Sequence, residues 1–396
     1  MSQDNKDIRY SIGIDLGTTH SALACVDLAA SDGEKTVHEV LAVPQVTAPG
    51  AVQALPLLPS FLYLPHPDEL AAGDLSLPWG AEVGASVGTM ARARGATTPI
   101  RLVSSAKSWL CHPGVDRRGP ILPADAPAEV ERVSPLEASR RYLAHLREAW
   151  NHAHPDAPFE RQSVTVTMPA SFDPAARELT AEAARLAGYG PVTLLEEPQA
   201  ALYSWIQNSQ GGWRKTVKPG DVILVVDVGG GTTDLTLIRA TPGTHGALPT
   251  LTRVAVGEHL MLGGDNMDLA LAHRLEPQFA GPGQRLAPGR FAQLVQRCRQ
   301  AKEQLLAEGA PAQTTITLLG GGSRLLAQTR SAPLTQADVH AWVVEGFLPP
   351  AQATDAPARR QGALRGLGLP YPADAAITRH LAQFLAQHRS EERRVG

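Results

Sequence analysis

Residues 221–237 read D-V-I-L-V-V-D-V-G-G-G-T-T-D-L-T-L, and the rest of the chain can be ordered around them. Residues 222–226 are an unbroken β-branched and aliphatic run, long enough for a buried strand. Asp227 follows, then Gly229, Gly230 and Gly231, then Thr232, Thr233 and Asp234, and an alternating return through Leu235 and Leu237. This is a hairpin whose turn can enter backbone regions closed to other residues, so its N–H groups can wrap a phosphate. Carboxylates beside such a turn repel phosphate directly. They make sense with a divalent cation between them, Mg²⁺ keeping several of its waters. Alone, the stretch also fits a plain glycine-rich hairpin carrying solubilising acids.

A second copy of the pattern lies about two hundred residues earlier. Residues 11–25 read S-I-G-I-D-L-G-T-T-H-S-A-L-A-C: apolar strand, Asp15, Gly17, Thr18, Thr19, alternating strand. Two acid–glycine–threonine hairpins imply two similar lobes facing one nucleotide. Neither is a Walker loop or a dinucleotide fingerprint, because neither turn runs into a helix with the required Lys or G-x-x-G spacing. On these residues the chain resembles the actin-like ATPase superfamily, which holds sugar kinases, actin-like filament proteins and the 70-kDa heat-shock chaperones. The resemblance implies an α/β fold of two ribonuclease-H-like lobes, with these hairpins as the two phosphate-binding loops.

The totals bound the rest. At 396 residues, two domains or one bilobed domain are expected, and 43% hydrophobic residues supply ample core. A net charge of −3 carries no nucleic-acid or membrane signature. Cys25, Cys111 and Cys298 fit neither a metal knuckle nor a disulfide framework, which points to a reducing compartment. The polar start M-S-Q-D-N-K-D is wrong for a signal peptide, and no apolar run approaches eighteen residues, so a soluble cytoplasmic protein is expected. Six lysines stand against thirty arginines, which makes each lysine more informative than usual.

Along the chain, residues 9–28 predict strand–turn–strand and 37–43 a third strand. Residues 44–135 are proline-rich and read as an inserted, irregular subdomain, with regular structure only at 61–64 and 100–110. Helices are expected at 135–149, at 174–187 with Asp173 as N-cap and Pro174 first, and from Glu197 through Trp205. Strands are expected at 163–168 and 192–195, and residues 210–219 read as a linker. Beyond the central hairpin come a strand at 250–256, helices at 266–275 and 291–308, strands at 313–319 and 323–328 around Gly320-Gly321-Gly322, a helix at 336–347 and a last helix at 374–387.

Residues 163–203 narrow the resemblance to the 70-kDa heat-shock (DnaK-type) chaperone family. They contain V-T-V-T-M-P-A-S-F-D-P-A-A-R, then L-A-G, then L-L-E-E-P-Q-A-A-L-Y. This is similar to the family's strand–P-A-x-F-x-x-x-x-R–helix–A-G–strand–E-P-x-A-A, and Gly257 with L-G-G-D-N-M-D resembles its G-D-x-x-L-G-G-x-x-F-D. The resemblance implies a Mg²⁺-dependent ATPase binding ATP or ADP. In it Asp15 and Asp227 hold the metal through water. Gly17, Thr18, Thr19, Gly229, Gly230, Gly231 and Thr232 surround the phosphates, and Glu197 and Asp234 flank the attacking water. Pro169 and Arg177 relay nucleotide state to a partner domain. Glu197 also fits plain helix N-terminal placement of an acid, and without the resemblance Pro169 only stops a strand.

Three departures stand out. The family's catalytic lysine lies in an A-K before the segment resembled by Ala106-Lys107, and ungapped counting lands on Ala91-Arg92, with Arg94 the other candidate. Arginine keeps the charge but not the compact ammonium. The adenosine-contacting helix, C-E-x-A-K-R-x-L-S in the family, reads C-R-Q-A-K-E-Q-L-L from Cys298; Lys302 survives and the flanking charges are swapped. Gly320-Gly321-Gly322 reads as a hairpin turn and not the late adenosine loop, which leads to the expectation of a fragment with an incomplete second lobe.

The expected division is 8–43 with 133–215 as the first lobe core and 44–132 as its insert. Residues 216–258 with 336–388 form the second core, 259–335 its small subdomain and 389–396 a tail outside the family pattern. Implied partners are the nucleotide, a J-domain-type cochaperone and a nucleotide-exchange factor, with client polypeptide held only by a domain outside this chain. Competing readings are a nucleotide-dependent scaffold that does not hydrolyse ATP, motivated by Arg92, and a sugar kinase or actin-like filament protein, which the 163–203 segment argues against.

Overall fold

The computed structural model describes residues 8–31, 36–81, 84–124, 126–243, 249–281, 283–318, 329–358 and 369–388. The first acid–glycine–threonine segment is a hairpin: Tyr10–Leu16 and His20–Asp27 pair antiparallel from Tyr10↔Asp27 to Leu16↔Ser21. A side chain at Gly17 would run into the His20 carbonyl, so the tight turn requires glycine there. Alternation buries Ile12, Ile14 and Leu16 on one face and sends Asp15 to the other.

Ser163–Met168 adds parallel to Tyr10–Leu16, and Val192–Glu196 adds parallel to Ser163–Met168. The sheet order is Val192–Glu196, Ser163–Met168, Tyr10–Leu16, His20–Asp27, His38–Val40, with Leu58–Pro59 also paired to His20–Asp27. Parallel neighbours need a crossover, and the helix Pro174–Leu186 supplies it. Its entry is as expected: Asp173 accepts the Ala176 N–H at 2.6 Å and Pro174 opens the first turn. The helix Pro135–Ala153 is capped by Ser134, which accepts the Glu137 N–H at 2.9 Å. Its apolar stripe (Leu143, Leu146, Trp150) is buried in one core cluster with Ile12, Ile14, Val164 and Val166. Each such side chain stabilises the fold by about 1.5–3 kcal/mol relative to exposure.

The central segment forms a second hairpin, Val222–Val228 with Thr233–Thr241, in register from Val222↔Arg239 to Val228↔Thr233. Thr250–Val256 completes a three-stranded antiparallel sheet, and Leu235 and Leu237 cluster with Leu260 and with Phe384 of the helix Ile377–Gln387. The mixed α/β class agrees with expectation.

Residues 44–135 hold more regular structure than their prolines predict. Val43–Ala48 pairs with Ala51–Leu55, Leu62–Tyr63 lies between Ser86–Val87 and Leu102–Val103, and Thr89–Gly95 is a helix. Two-residue strands show no periodicity, and the Thr89–Gly95 helix has neither an N-cap side chain nor an acid in its first turn, so neither leaves a local signal. In the C-terminal half, Gly264–Ala280 and Pro288–Leu306 pack together, and Gln313–Leu318 pairs with Arg330–Thr335. The Gly320-Gly321-Gly322 turn and the strand expected at 323–328 lie outside the described residues, as does the tail 389–396. The helix expected at 336–347 is continuous but passes through a π-helical stretch, His340–Val344. Among the described residues no helix is long and apolar enough to cross a membrane.

Candidate functional site

The two glycine turns meet. A Cβ on Gly230 would strike Thr19, and one on Gly231 would strike Ser108 and Thr18, so the turns approach closely only because both positions are glycine. The second turn is closed by Gly229 N–H donating to the Thr232 carbonyl at 2.8 Å. It is braced by Gly264 N–H on Gly229 O at 3.1 Å and Asp265 N–H on Gly230 O at 2.7 Å. Beside the turns opens a cavity of about 1020 Å³ whose walls include Asp15, Thr18, Thr19, Lys107, Glu197, Asp227 and Thr232. That is at the upper end of the size range for small-molecule sites.

Four carboxylates converge there on one ammonium. Lys107, on the short helix Ala106–Leu110, pairs with Glu197 in the first turn of Glu197–Asn208, both side chains largely buried. Burial alone pulls the ammonium down; Glu197, Asp15 and Asp234 outweigh it and hold Lys107 above the ordinary lysine value. Glu197 is pushed up, first by burial and then by Asp15 and Asp227, with Lys107 opposing. Asp227 is raised by burial and by Asp234, its cross-strand neighbour. Thr167 Oγ1 donates to Asp15 Oδ1 at 2.9 Å, and Ser171 Oγ donates to Asp234 Oδ1.

This acidic cage on paired glycine turns has relatives. The family model described as Hsp70 protein matches residues 122–323. The chain is 32% identical over 367 residues to the chaperone protein HscA homolog of Burkholderia cenocepacia, covering 89% of this chain and 49% of the relative. The figures for the Burkholderia multivorans protein of the same description are equal. The Pseudomonas aeruginosa one is 32% identical over 317 residues, 76% of this chain and 43% of its own. The chain belongs to the Hsp70 family. It spans about half the length of the curated relatives it matches. Its several sheets and helices are compatible with the Hsp70 actin-like ATPase fold.

Of the residues singled out by their Hsp70 resemblance, Asp15, Gly17, Thr18, Thr19, Glu197, Asp227, Gly229, Gly230 and Thr232 line one cavity. Gly231 lies against Thr18, and Asp234 sits opposite Asp227. Arg92 and Lys302 are elsewhere. Arg92 reaches Glu303 on the helix Pro288–Leu306 and lies over the Phe61 ring at 5.9 Å; Arg94 faces Glu69 at 3.8 Å. The cation among the carboxylates is Lys107, where ungapped counting expected Arg92. Lys302 is engaged by Asp268 Oδ1 at 2.7 Å and donates to Gly264 O at 3.0 Å. It belongs to a buried cluster with Asp265, Asp268 and Arg299. Arg177 donates to Phe172 O and Ala170 O at 3.1 Å each and to Glu196 Oε1 at 3.0 Å, so it braces the turn that follows Pro169. Glu196 also pairs with Arg253 of Thr250–Val256, which ties the two large sheets together.

Sequence reasoning passed over Lys107, Ser108, Thr167, Ser171 and His259. The scarcity of lysine was the one available signal for Lys107; the others are ordinary residues until the fold gathers them. Ser108 Oγ is buried without a hydrogen-bond partner among the described residues, beside Gly231. A hydroxyl in that position fits a phosphate oxygen as its acceptor. The acid excess fits a divalent cation, yet among the described residues no three His, Cys, Asp or Glu side chains converge to hold a metal directly. The acid excess fits Mg²⁺, which keeps waters and takes one or two carboxylates plus substrate phosphates.

Proposed function

We propose that the chain is the ATP-binding and ATP-hydrolysing part of an Hsp70-type chaperone. The sheets carrying Asp15 and Asp227 are its two lobes, divided at the boundaries 8–43 with 133–215 and 216–258 with 336–388. The observation that carries this reading is the convergence of Asp15, Glu197, Asp227 and Asp234 on Lys107 beside touching glycine turns. Four carboxylates beside one ammonium are electrostatically incomplete without added positive charge, and the turns are shaped for anions; Mg·ATP supplies both.

In hydrolysis, a water oxygen bonds to the γ-phosphorus as the bond to the β,γ-bridging oxygen breaks. ADP, inorganic phosphate and a proton result. Asp15 and Asp227 would hold Mg²⁺, which would supply positive charge to offset that of the phosphate oxygens. Thr18, Thr19, Thr232 and Ser108 present hydroxyls to the phosphates. Lys107 leaves Glu197 for the γ-phosphate, where its compact charge meets the charge developing in the transition state. Glu197 and Asp234 are then free to accept hydrogen bonds from the attacking water. Lys107 weakens the motive for a non-hydrolysing scaffold, which rested on Arg92 standing where the family has its catalytic lysine.

The links Arg177–Glu196–Arg253 across the sheets support Pro169 and Arg177 as the relay by which nucleotide state reaches a partner domain. A J-domain-type cochaperone and a nucleotide-exchange factor are the partners this reading carries. The experiment is ATP turnover by the chain and by Asp15→Asn and Asp227→Asn. Slow Mg²⁺-dependent turnover that both variants abolish is expected; variants that keep full turnover would show the metal assignment to be wrong.

A further inference from the structure

Ser171 Oγ has two close polar neighbours. One is Asp234 Oδ1; the other is His259 Nδ1, at 2.6 Å. The opposite ring nitrogen, His259 Nε2, lies 3.1 Å from Cys111 Sγ. Three segments distant in sequence meet here: the turn after Ser163–Met168 (Ser171), the connection between Thr250–Val256 and Gly264–Ala280 (His259), and the end of the Lys107 helix (Cys111). One end of the string touches a carboxylate proposed to orient the attacking water, and the other adjoins the helix that carries the cationic group.

Counting protons gives the string a direction. A serine hydroxyl carries one hydrogen, and an ionised carboxylate only accepts. The Ser171 hydrogen therefore goes to Asp234, and His259 must place its own hydrogen on Nδ1 and donate to Ser171 Oγ. Nε2 is left as a lone pair facing Cys111. Burial pushes the Cys111 thiol up to about 12, so it stays protonated, and its single hydrogen is shared between Nε2 and the Ser108 carbonyl, each 3.1 Å from Sγ. Burial lowers the His259 value; Asp234 and Asp173 raise it and Lys107 lowers it further, and the net lies below the ordinary histidine value. Free neutral histidine prefers hydrogen on Nε2, so this environment selects the less common tautomer.

We propose that His259 is a positioning residue for ATP hydrolysis: as the Nδ1–H tautomer it turns the Ser171 hydroxyl toward Asp234 and so aims that carboxylate at the attacking water. The role rests on the nucleotide reading above. It also ties chemistry to lobe closure, because Ser171 and His259 extend from different sheets, and Asp234 is fully oriented only when they meet.

The test uses the whole chain. In wild type, ¹⁵N spectra of the imidazole are expected to show Nδ1 protonated and Nε2 pyridine-like at neutral pH. His259→Gln, which moves the amide away from the δ position, is expected to slow single-turnover hydrolysis roughly 10- to 100-fold, the scale of a misplaced catalytic group, with ATP affinity unchanged. His259→Asn, which keeps a donor at the δ position, is expected to recover most of that loss. Ser171→Ala should slow hydrolysis as much as His259→Gln, and the double variant no further. An Nε2–H or doubly protonated ring, or a His259→Gln chain hydrolysing at the wild-type rate, would overturn the role while leaving the nucleotide site intact. A wild type that binds no ATP would overturn both.

Discussion

Lys107 and Glu197 form a largely buried ion pair that joins the Ala106–Leu110 helix to the first turn of Glu197–Asn208, inside a ring completed by Asp15, Asp227 and Asp234. The pair puts the cation among the cleft's carboxylates fifteen positions beyond the arginine that simple counting favours. If Lys107 meets the γ-phosphate, Lys107→Ala should lower single-turnover hydrolysis about 100- to 1,000-fold, the scale of losing one preorganised charge partner. Rapid-quench measurement checks this, and ATP affinity measured alongside should fall much less.

Arg92 should behave differently. Its pairing with Glu303, together with Gln293 Nε2 donating to Thr97 O at 3.2 Å, joins the Thr89–Gly95 region to the helix Pro288–Leu306. Half-exposed charge pairs contribute only ~0–1 kcal/mol and weaken with salt. Arg92→Ala should therefore leave the hydrolysis step within about twofold and speed release of bound ADP, an effect that high salt on the wild type partly reproduces. Stopped-flow release of a fluescent ADP analogue, followed beside single-turnover hydrolysis, separates the two.

Asp227 gives a pH prediction with a definite sign. Burial and Asp234 raise its value in the folded chain, so its ionisation costs stability; that cost is full above the folded value, declines as pH falls through it, and is gone below the ordinary aspartate value. Without Mg²⁺, Asp227→Asn should melt a few degrees above wild type at pH 7.5. The difference should shrink as pH is lowered through the folded value toward the ordinary aspartate range, because a protonated aspartate and an asparagine are both neutral. Melting curves from pH 4.5 to 8 measure it; a difference that grows as pH falls would reverse the assigned sign.

How much of this was legible in the sequence follows from how local each signal is. The hairpins, the Asp173 cap and the Ser163–Met168 strand are written within a few residues, through alternation, proline and the glycine demanded by tight turns. Lys107 and His259 acquire meaning only when segments 88 to 90 residues apart meet, Ser171 with His259 and Lys107 with Glu197, which no window along the chain can display. Lys302 is the reverse case. Its helix matches a motif, but Asp268, thirty-odd residues upstream, neutralises the ammonium, and that neighbour is visible only in the fold. The insert is hardest because its strands are mostly two residues long and held by distant partners.

Glu196 is the junction between the sheets, with Arg177 on one side and Arg253 on the other. Glu196→Gln removes the charge both guanidinium groups share and should destabilise the chain by about 1–3 kcal/mol. Combining it with Arg253→Gln should cost less than the sum of the single changes. A urea double-mutant cycle gives the coupling, and simple additivity would mean the contact does not hold the sheets together.

We propose that the acidic cage and its glycine turns bind a nucleotide through a divalent metal. Calorimetric titration of the whole chain with ATP, with Mg²⁺ and then with the metal chelated, tests it most directly. The account predicts one ATP per chain with Mg²⁺ and at least tenfold weaker binding without it, the metal dependence being lost in Asp227→Asn. Absence of binding with Mg²⁺, or equal affinity with and without the metal, would contradict it.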